Sequence, residues 1–292
     1  MARPALAATR ALDIISYLTE HADESFTMAQ LTRALHLNQG SAHAILSALV
    51  EDGFLVRHRA HKTYRLGPAL VAVGEAATRA NPVIAIAQEE LQVLADELGL
   101  EALASMRTGG DLRVVVRVGR HSSRAPARRV GQRYPLVPPL GAALVAWSPD
   151  DVRDEWVSAG AEAGTMSRAR LDALLAQVRA TGVHVGSGGA ARGALGAAVE
   201  ELSETPHDAQ RAARVLEEAA RIASAEQDDS HIRDVAAIAA PVLGPDGDAV
   251  LECVVHGFRE QPPTERVAEV IEALRHSCTV IARRTWEAAG RV

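Results

Sequence analysis

Residues 37–67 read LNQGSAHAILSALVEDGFLVRHRAHKTYRLG, and this stretch decides how the amino-terminal part of the chain folds. Asn38 suits a helix N-cap and Gly53 a left-handed stop, so the spacing predicts a helix running to about Asp52. Wound at about 100° per residue, that helix puts Ala42, Ile45, Leu46 and Leu49 on one side and Gly40, His43, Ala44 and Ser47 on the other. The first set is a core face. The second is small and polar, which suits a helix whose outer face enters a groove. After Gly53, FLVR and TYRLG read as two short strands joined by HRAHK, a ribbon holding Arg57, Arg59, Lys62 and Arg65 and no acid.

Upstream, residues 10–19 (RALDIISYLT) place Leu12, Ile15 and Leu18 on one face of a first helix. Thr27 is followed three residues later by Gln30, a capping-box spacing, so a second helix starts near Thr27 and packs through Met28, Leu31 and Leu35. Three helices followed by a basic β-ribbon make a winged helix-turn-helix.

Charge supports a polyanion contact in this part of the chain alone. The net charge is −6, yet residues 1–70 carry seven Arg/Lys and six Asp/Glu, or +1, leaving 24 against 31, or −7, for the rest. Five of the eleven histidines also fall there. The candidate DNA contacts are Thr27, Gln39, Gly40, Ser41, His43 and Ser47, with Arg57, Arg59, Lys62 and Arg65 flanking them against phosphates. The competing readings are a solvated charged surface and a protein-interaction module.

At 292 residues the chain has room for two domains. It has no run of about 18 uncharged apolar residues and no signal-peptide pattern at MARPALAATRALD, so a cytoplasmic protein away from membranes is expected. Cys253 and Cys278, the only cysteines, make neither a disulfide framework nor a zinc pattern. Beyond the ribbon, residues 68–81 read as a linker helix with Leu70, Val73 and Ala77 at helical spacing, and Leu91, Leu94, Ala95 and Leu98 mark another helix that stops at Gly99. The period then changes to that of strands: EALASMR, a Gly109–Gly110 turn, and LRVVVRVG. Helices return at GAALVAW and at 166–180, and the hairpin VAAIAAPVL–GPDG–AVLECVVHG precedes a helix over 264–286. Antiparallel pairs bracketed by helices indicate an α+β fold.

RALDIISYL, the helix-turn-helix, LVEDGFLVRHRAHKTYRLGPAL and GQRYPLVPPLGAALVAW together resemble the IclR (isocitrate lyase regulator) family of bacterial transcription factors. The likeness spans residues 6 to about 145 and resumes at IAAPVLGPDGDAV. It implies a DNA-binding domain at 1–67, a linker helix at 68–81 and a GAF-like effector-binding domain at 82–292. It also implies a homodimer or homotetramer, most simply a repressor, that answers a small organic acid or aromatic catabolite. A constitutive regulator with a vestigial sensor is the alternative. Where the family often has Ser-Thr and then an Arg one turn later in the recognition helix, this chain has Gly40, Ser41 and Ala44. Sequence reading therefore falls more on Gln39, His43 and the ribbon, or on DNA shape.

The expected effector pocket combines Pro139, Leu140, Gly141 and Ala142, ahead of a helix whose free amides suit a carboxylate, with Met106, Val116, Ile238 and Cys253. The alternative is that all eight are plain core. A small-molecule enzyme is only a remote alternative, and no cofactor or metal is expected. GVHVGSGGAARGALG matches a dinucleotide fingerprint at Gly186, Gly188 and Ala191, but no strand ending in an acid follows about 20 residues later. Cys253 and His256, three apart in a strand, point to opposite faces. His207 lacks a partner at ligand spacing, and the QDD before Ser230 forms no recognisable metal loop.

Overall fold

The structure is a computed structural model describing residues 5–120, 129–162, 166–204, 208–225, 235–258 and 261–289. The chain divides into two compact units, residues 1–81 with 200–212, and residues 82–199 with 213–292.

In the first unit the elements are α1 (Leu6–Glu20), β1 (Phe26–Thr27), α2 (Met28–Ala34), α3 (Gln39–Glu51), β2 (Leu55–Arg57), β3 (Thr63–Leu66) and α4 (Ala69–Ala80). Both helix starts follow from local chemistry. Thr27 Oγ1 accepts from the Gln30 amide at 3.3 Å while Gln30 Oε1 accepts from the Thr27 amide at 2.8 Å. Asn38 Oδ1 accepts from the Ser41 amide at 2.8 Å. Gly53, at φ +73°, ends α3 in the left-handed region.

Ile14, Tyr17, Leu18, Leu31, Leu35, Leu46, Leu55 and Tyr64 close a core between the helices and the ribbon. On α1 the buried face is Ile14, Tyr17 and Leu18, while Leu12 is 63% exposed, which corrects the expected stripe of Leu12, Ile15 and Leu18. Steps of three fall about 60° short of a turn each, so Leu12 and Leu18 sit about 120° apart, whereas 14, 17 and 18 stay together. Strand β1 was not legible in sequence; it pairs antiparallel with β3, Thr27 opposite Thr63, in a sheet of order β1-β3-β2. At the ribbon's base a Cβ on Gly67 would lie 2.2 Å from the Gly53 carbonyl oxygen, so only glycine fits.

The second unit contains α5 (Pro82–Leu98), β4 (Glu101–Thr108), β5 (Asp111–Gly119), β6 (Arg133–Pro135), α6 (Ala142–Val145), α7 (Asp150–Glu162), α8 (Arg168–Thr181), β7 (His184–Gly186), β8 (Ala237–Leu243), β9 (Ala249–His256) and α11 (Thr264–Ala289). Between β7 and β8 run α9 (Gly189–Glu204) and α10 (Ala209–Ala225). Six strands form one antiparallel sheet of order β6-β5-β4-β9-β8-β7. One face packs on α5 and α11 through Ala102, Ala104, Val116, Val118, Ile238, Leu251, Cys253 and Val255.

Strand β5 changes face partway along. Ala104 pairs with Val116 but Ser105 with Val114, so Val115 is an extra, unpaired residue. Leu112 and Val114 consequently point to one side of the sheet and Val116 and Val118 to the other, though all four are buried.

Candidate nucleic-acid interface and sensor cavity

Helix α3 turns Ala42 and Leu46 into the core, which leaves Gln39, Gly40, His43, Ala44 and Ser47 exposed along its outer side. The core thus fixes a protruding face of small and hydrogen-bonding groups. A Cβ on Gly40 would meet only Asn38 Oδ1, at 3.7 Å, so the fold itself does not require glycine there. Ser41 and Thr27 are half-buried and already engaged. Ser41 Oγ accepts from the Arg10 guanidinium at 3.0 Å, and the Thr27 hydroxyl belongs to the cap of α2. Arg10, which sequence reasoning passed over, adds a cation beside the amino end of α3. The signal was present in RALDIISYL, but a single arginine on an amphipathic helix reads as surface.

On the ribbon Arg57, Arg59, Lys62 and Arg65 are all exposed, and none is in an ion pair among the described residues. Arg57 pairs across with Tyr64 and Arg65 with Val56, so these two cations project from opposite faces. The Arg57 guanidinium lies 5.8 Å from the centre of the Tyr64 ring. At the tip, Lys62 takes φ +54°, its amide donates to the His58 carbonyl at 2.9 Å, and the His58 and His61 rings stack 4.7 Å apart.

A cavity lies in the second unit, on the sheet face turned away from α5 and α11. Its floor is Leu103 and Ser105 of β4, Leu112 and Val114 of β5, Ala237 and Ala239 of β8, and Glu252 and Val254 of β9. Tyr134, His184 and Gly186 close its sides, the loop Pro139–Leu140–Gly141 overlies it, and α9 contributes Arg192 and Leu195. Of the eight residues expected at an effector pocket, the structure brings Pro139, Leu140 and Gly141 to this cavity. Ala142 is fully buried one residue beyond it. Met106, Val116, Ile238 and Cys253 lie on the opposite sheet face, among the side chains packed on α5 and α11. Both faces of the sheet are covered, so alternation gave two apolar sets without saying which was hollow. Glu252 within AVLECVVHG and His184 within GVHVG were the available signals, being polar groups in otherwise apolar strands.

Beyond the cavity on the same face, Glu101 accepts from Arg117 Nε at 2.5 Å and stands 3.9 Å from His256 Nε2. Cys253 and His256 do face opposite ways. Hydrogen bonding to Cys278, followed by burial, raises the Cys253 thiol well above its usual range, leaving it an inert core group. Gly186 ends an edge strand antiparallel to β8, which is not the parallel crossover a dinucleotide site needs. His207 and the acidic QDD lie outside the described residues.

Residues 7–59 match the IclR helix-turn-helix domain family. No curated protein matches the chain in sequence. Among solved structures, the IclR transcriptional regulator of Alicyclobacillus acidocaldarius is 18% identical with a TM-score of 0.69, over 96% of this chain and 99% of that one. Pseudomonas aeruginosa HmgR is 20% identical with a TM-score of 0.63, over 96% and 99%. An IclR homologue from Microbacterium hydrocarbonoxydans, complexed with 4-hydroxybenzoate, is 16% identical with a TM-score of 0.64, over 95% and 99%. The shared fold is an amino-terminal helix-turn-helix with a carboxyl-terminal antiparallel sheet.

Proposed function

We propose that this chain is an IclR-type DNA-binding transcriptional regulator, a ligand-responsive repressor acting as a homo-oligomer in the cytoplasm; the match of residues 7–59 to the IclR helix-turn-helix family and the fold shared with solved IclR regulators support this reading. Residues 1–67 hold the operator, 68–81 link, and 82–292 form a GAF-like sensor. The observation that carries ligand response is the cavity: an apolar floor interrupted by Glu252, His184 and Ser105, each buried and polar. The 4-hydroxybenzoate of the Microbacterium homologue supports a small organic acid or aromatic catabolite as the class to test first.

Oligomerisation is supported by α4, none of whose residues is buried and on which Val71 and Val73 stand 64% and 50% exposed. One winged helix covers one half-site, so a two-fold assembly suits a roughly palindromic operator. On the DNA side, the wing cations meet phosphates while Gln39 and His43 reach base edges. Thermal melting of the full chain against organic acids and aromatic catabolites tests the sensor. A ligand at 100 times its Kd adds about 2.7 kcal/mol and should lower operator affinity. Binding without any change in operator affinity would overturn the repressor reading.

A further inference from the structure

Residues 58–62 (HRAHK), at the tip of the ribbon, are all exposed, yet three hydrogen bonds close them. The His58 amide donates to the Thr63 carbonyl at 2.8 Å, the Lys62 amide to the His58 carbonyl at 2.9 Å, and the His61 amide to His58 Nδ1 at 3.2 Å. Lys62 completes the turn in the left-handed region, at φ +54°. This geometry lays the two imidazoles face to face, ring centres 4.7 Å apart and planes 27° from parallel. Since His58 Nδ1 accepts, the proton of the neutral His58 ring sits on Nε2. Neither ring nitrogen of His61 is hydrogen-bonded among the described residues. The charged groups around the pair are cations: Arg59 and Lys62 in the tip, Arg57 and Arg65 on the strands leading to it. Tyr64, the remaining titratable side chain of β3, is buried. Asp23 and Glu24 precede Phe26, which pairs with Tyr64, and so lie toward the base of the ribbon, as do Glu51 and Asp52 ahead of β2. Helix α2, which follows β1, carries no charge before Arg33.

We infer that the stacked His58–His61 pair is a DNA contact of the wing that takes up a proton as phosphates close on the tip. The inference rests on the DNA-binding reading above and deepens it. An imidazole changes charge between about pH 5 and 8. Two imidazoliums stacked face to face would repel, so the pair takes one proton. His61 is the member that takes it, because a proton on His58 Nδ1 would meet the His61 amide hydrogen and break the turn. Phosphates brought to the tip favour the imidazolium. The sign follows: the added charge is fully present at the acid end of that range and is lost as the pH rises, so the wing holds DNA more tightly in acid. Phosphates carry no sequence, so the gain falls on every duplex alike.

The test uses the full-length chain and a random-sequence duplex, titrated by fluorescence anisotropy at fixed salt from about pH 5 to about pH 8, with the fold checked by circular dichroism at each pH. Affinity should rise about tenfold toward the acid end, as one proton linked to binding allows. The slope of log affinity against log salt should also be steeper there by about 1, the mark of one more cation on phosphate. His61→Gln should remove most of both changes. His61 is exposed and outside the core, so the variant keeps its fold. His61→Lys, charged across the whole range, should restore tight binding at the alkaline end and give a flat profile. A flat wild-type profile would overturn the inference, as would a profile that survives His61→Gln unchanged. In both cases the DNA-binding reading stands. A folded chain that binds no DNA at any pH would overturn both.

Discussion

The helix-turn-helix and the sheet unit place their functional groups in opposite ways. On α3 and the ribbon the candidate contacts are exposed, and the core behind them is built from residues near in sequence, such as Leu31, Leu35 and Leu46. In the sheet unit the candidate contacts are buried or half-buried, and they converge from β4, β7, β9 and α9, parts of the chain as far apart as Ser105 and Val254. An outward site can change its side chains at little risk to folding. An inward one shares its floor with the elements that hold the unit together.

Adjacent residues on β8 give the largest expected effect and the clearest way to break that contrast. Ile238→Ala, on the helix-packed face, should cost about 2–5 kcal/mol in denaturant unfolding. Ala239→Val, on the cavity face, should change stability by about 1 kcal/mol or less while abolishing effector response. If both variants were equally destabilised, the cavity face would be ordinary core.

On the DNA side, His43→Ala or Gln39→Ala should cost about 1–3 kcal/mol on the operator and much less on random DNA, measured by fluorescence titration. Arg59→Ala or Lys62→Ala should instead weaken every sequence alike and flatten the slope of log affinity against log salt by about 1. An unchanged slope would make the ribbon a solvated surface. The smallest effect sharpens the idea that an outward face is separable from folding. Gly40→Ala, whose Cβ would meet only Asn38 Oδ1 at 3.7 Å, should stabilise the fold by about 0.4–1 kcal/mol and yet reduce operator binding if the added methyl stands on the face proposed to meet DNA.

This difference in placement also explains what the sequence disclosed. The capping box at Thr27–Gln30, the Asn38 cap and the Gly53 stop are contacts within a few residues, so they were legible and the structure repeats them. Leu12 was misplaced because three-residue steps were followed too far, and β1 was missed because two residues carry no period. In the sheet unit the strands and the hairpin were legible, but the hollow side was not. Choosing between Ile238 and Ala239, or Cys253 and Glu252, needs knowledge of which helices cover which face, and no spacing along the chain contains it. Arg192 was seen only as part of a glycine-rich decoy, since nothing local says that α9 folds back over the sheet.

The extra residue in β5 sets a rule about mutation of a different kind. Side chains on either side of Val115 can be exchanged one at a time, each with a local effect. The loss or gain of a single codon between Leu112 and Val116 would be another matter, because it would change the parity of the strand: Leu112 and Val114 would rotate among the helices, or Val116 and Val118 into the chamber. This strand is therefore tolerant in spelling and intolerant in length, and relatives that share the chamber should differ here by substitution far more readily than by insertion or deletion.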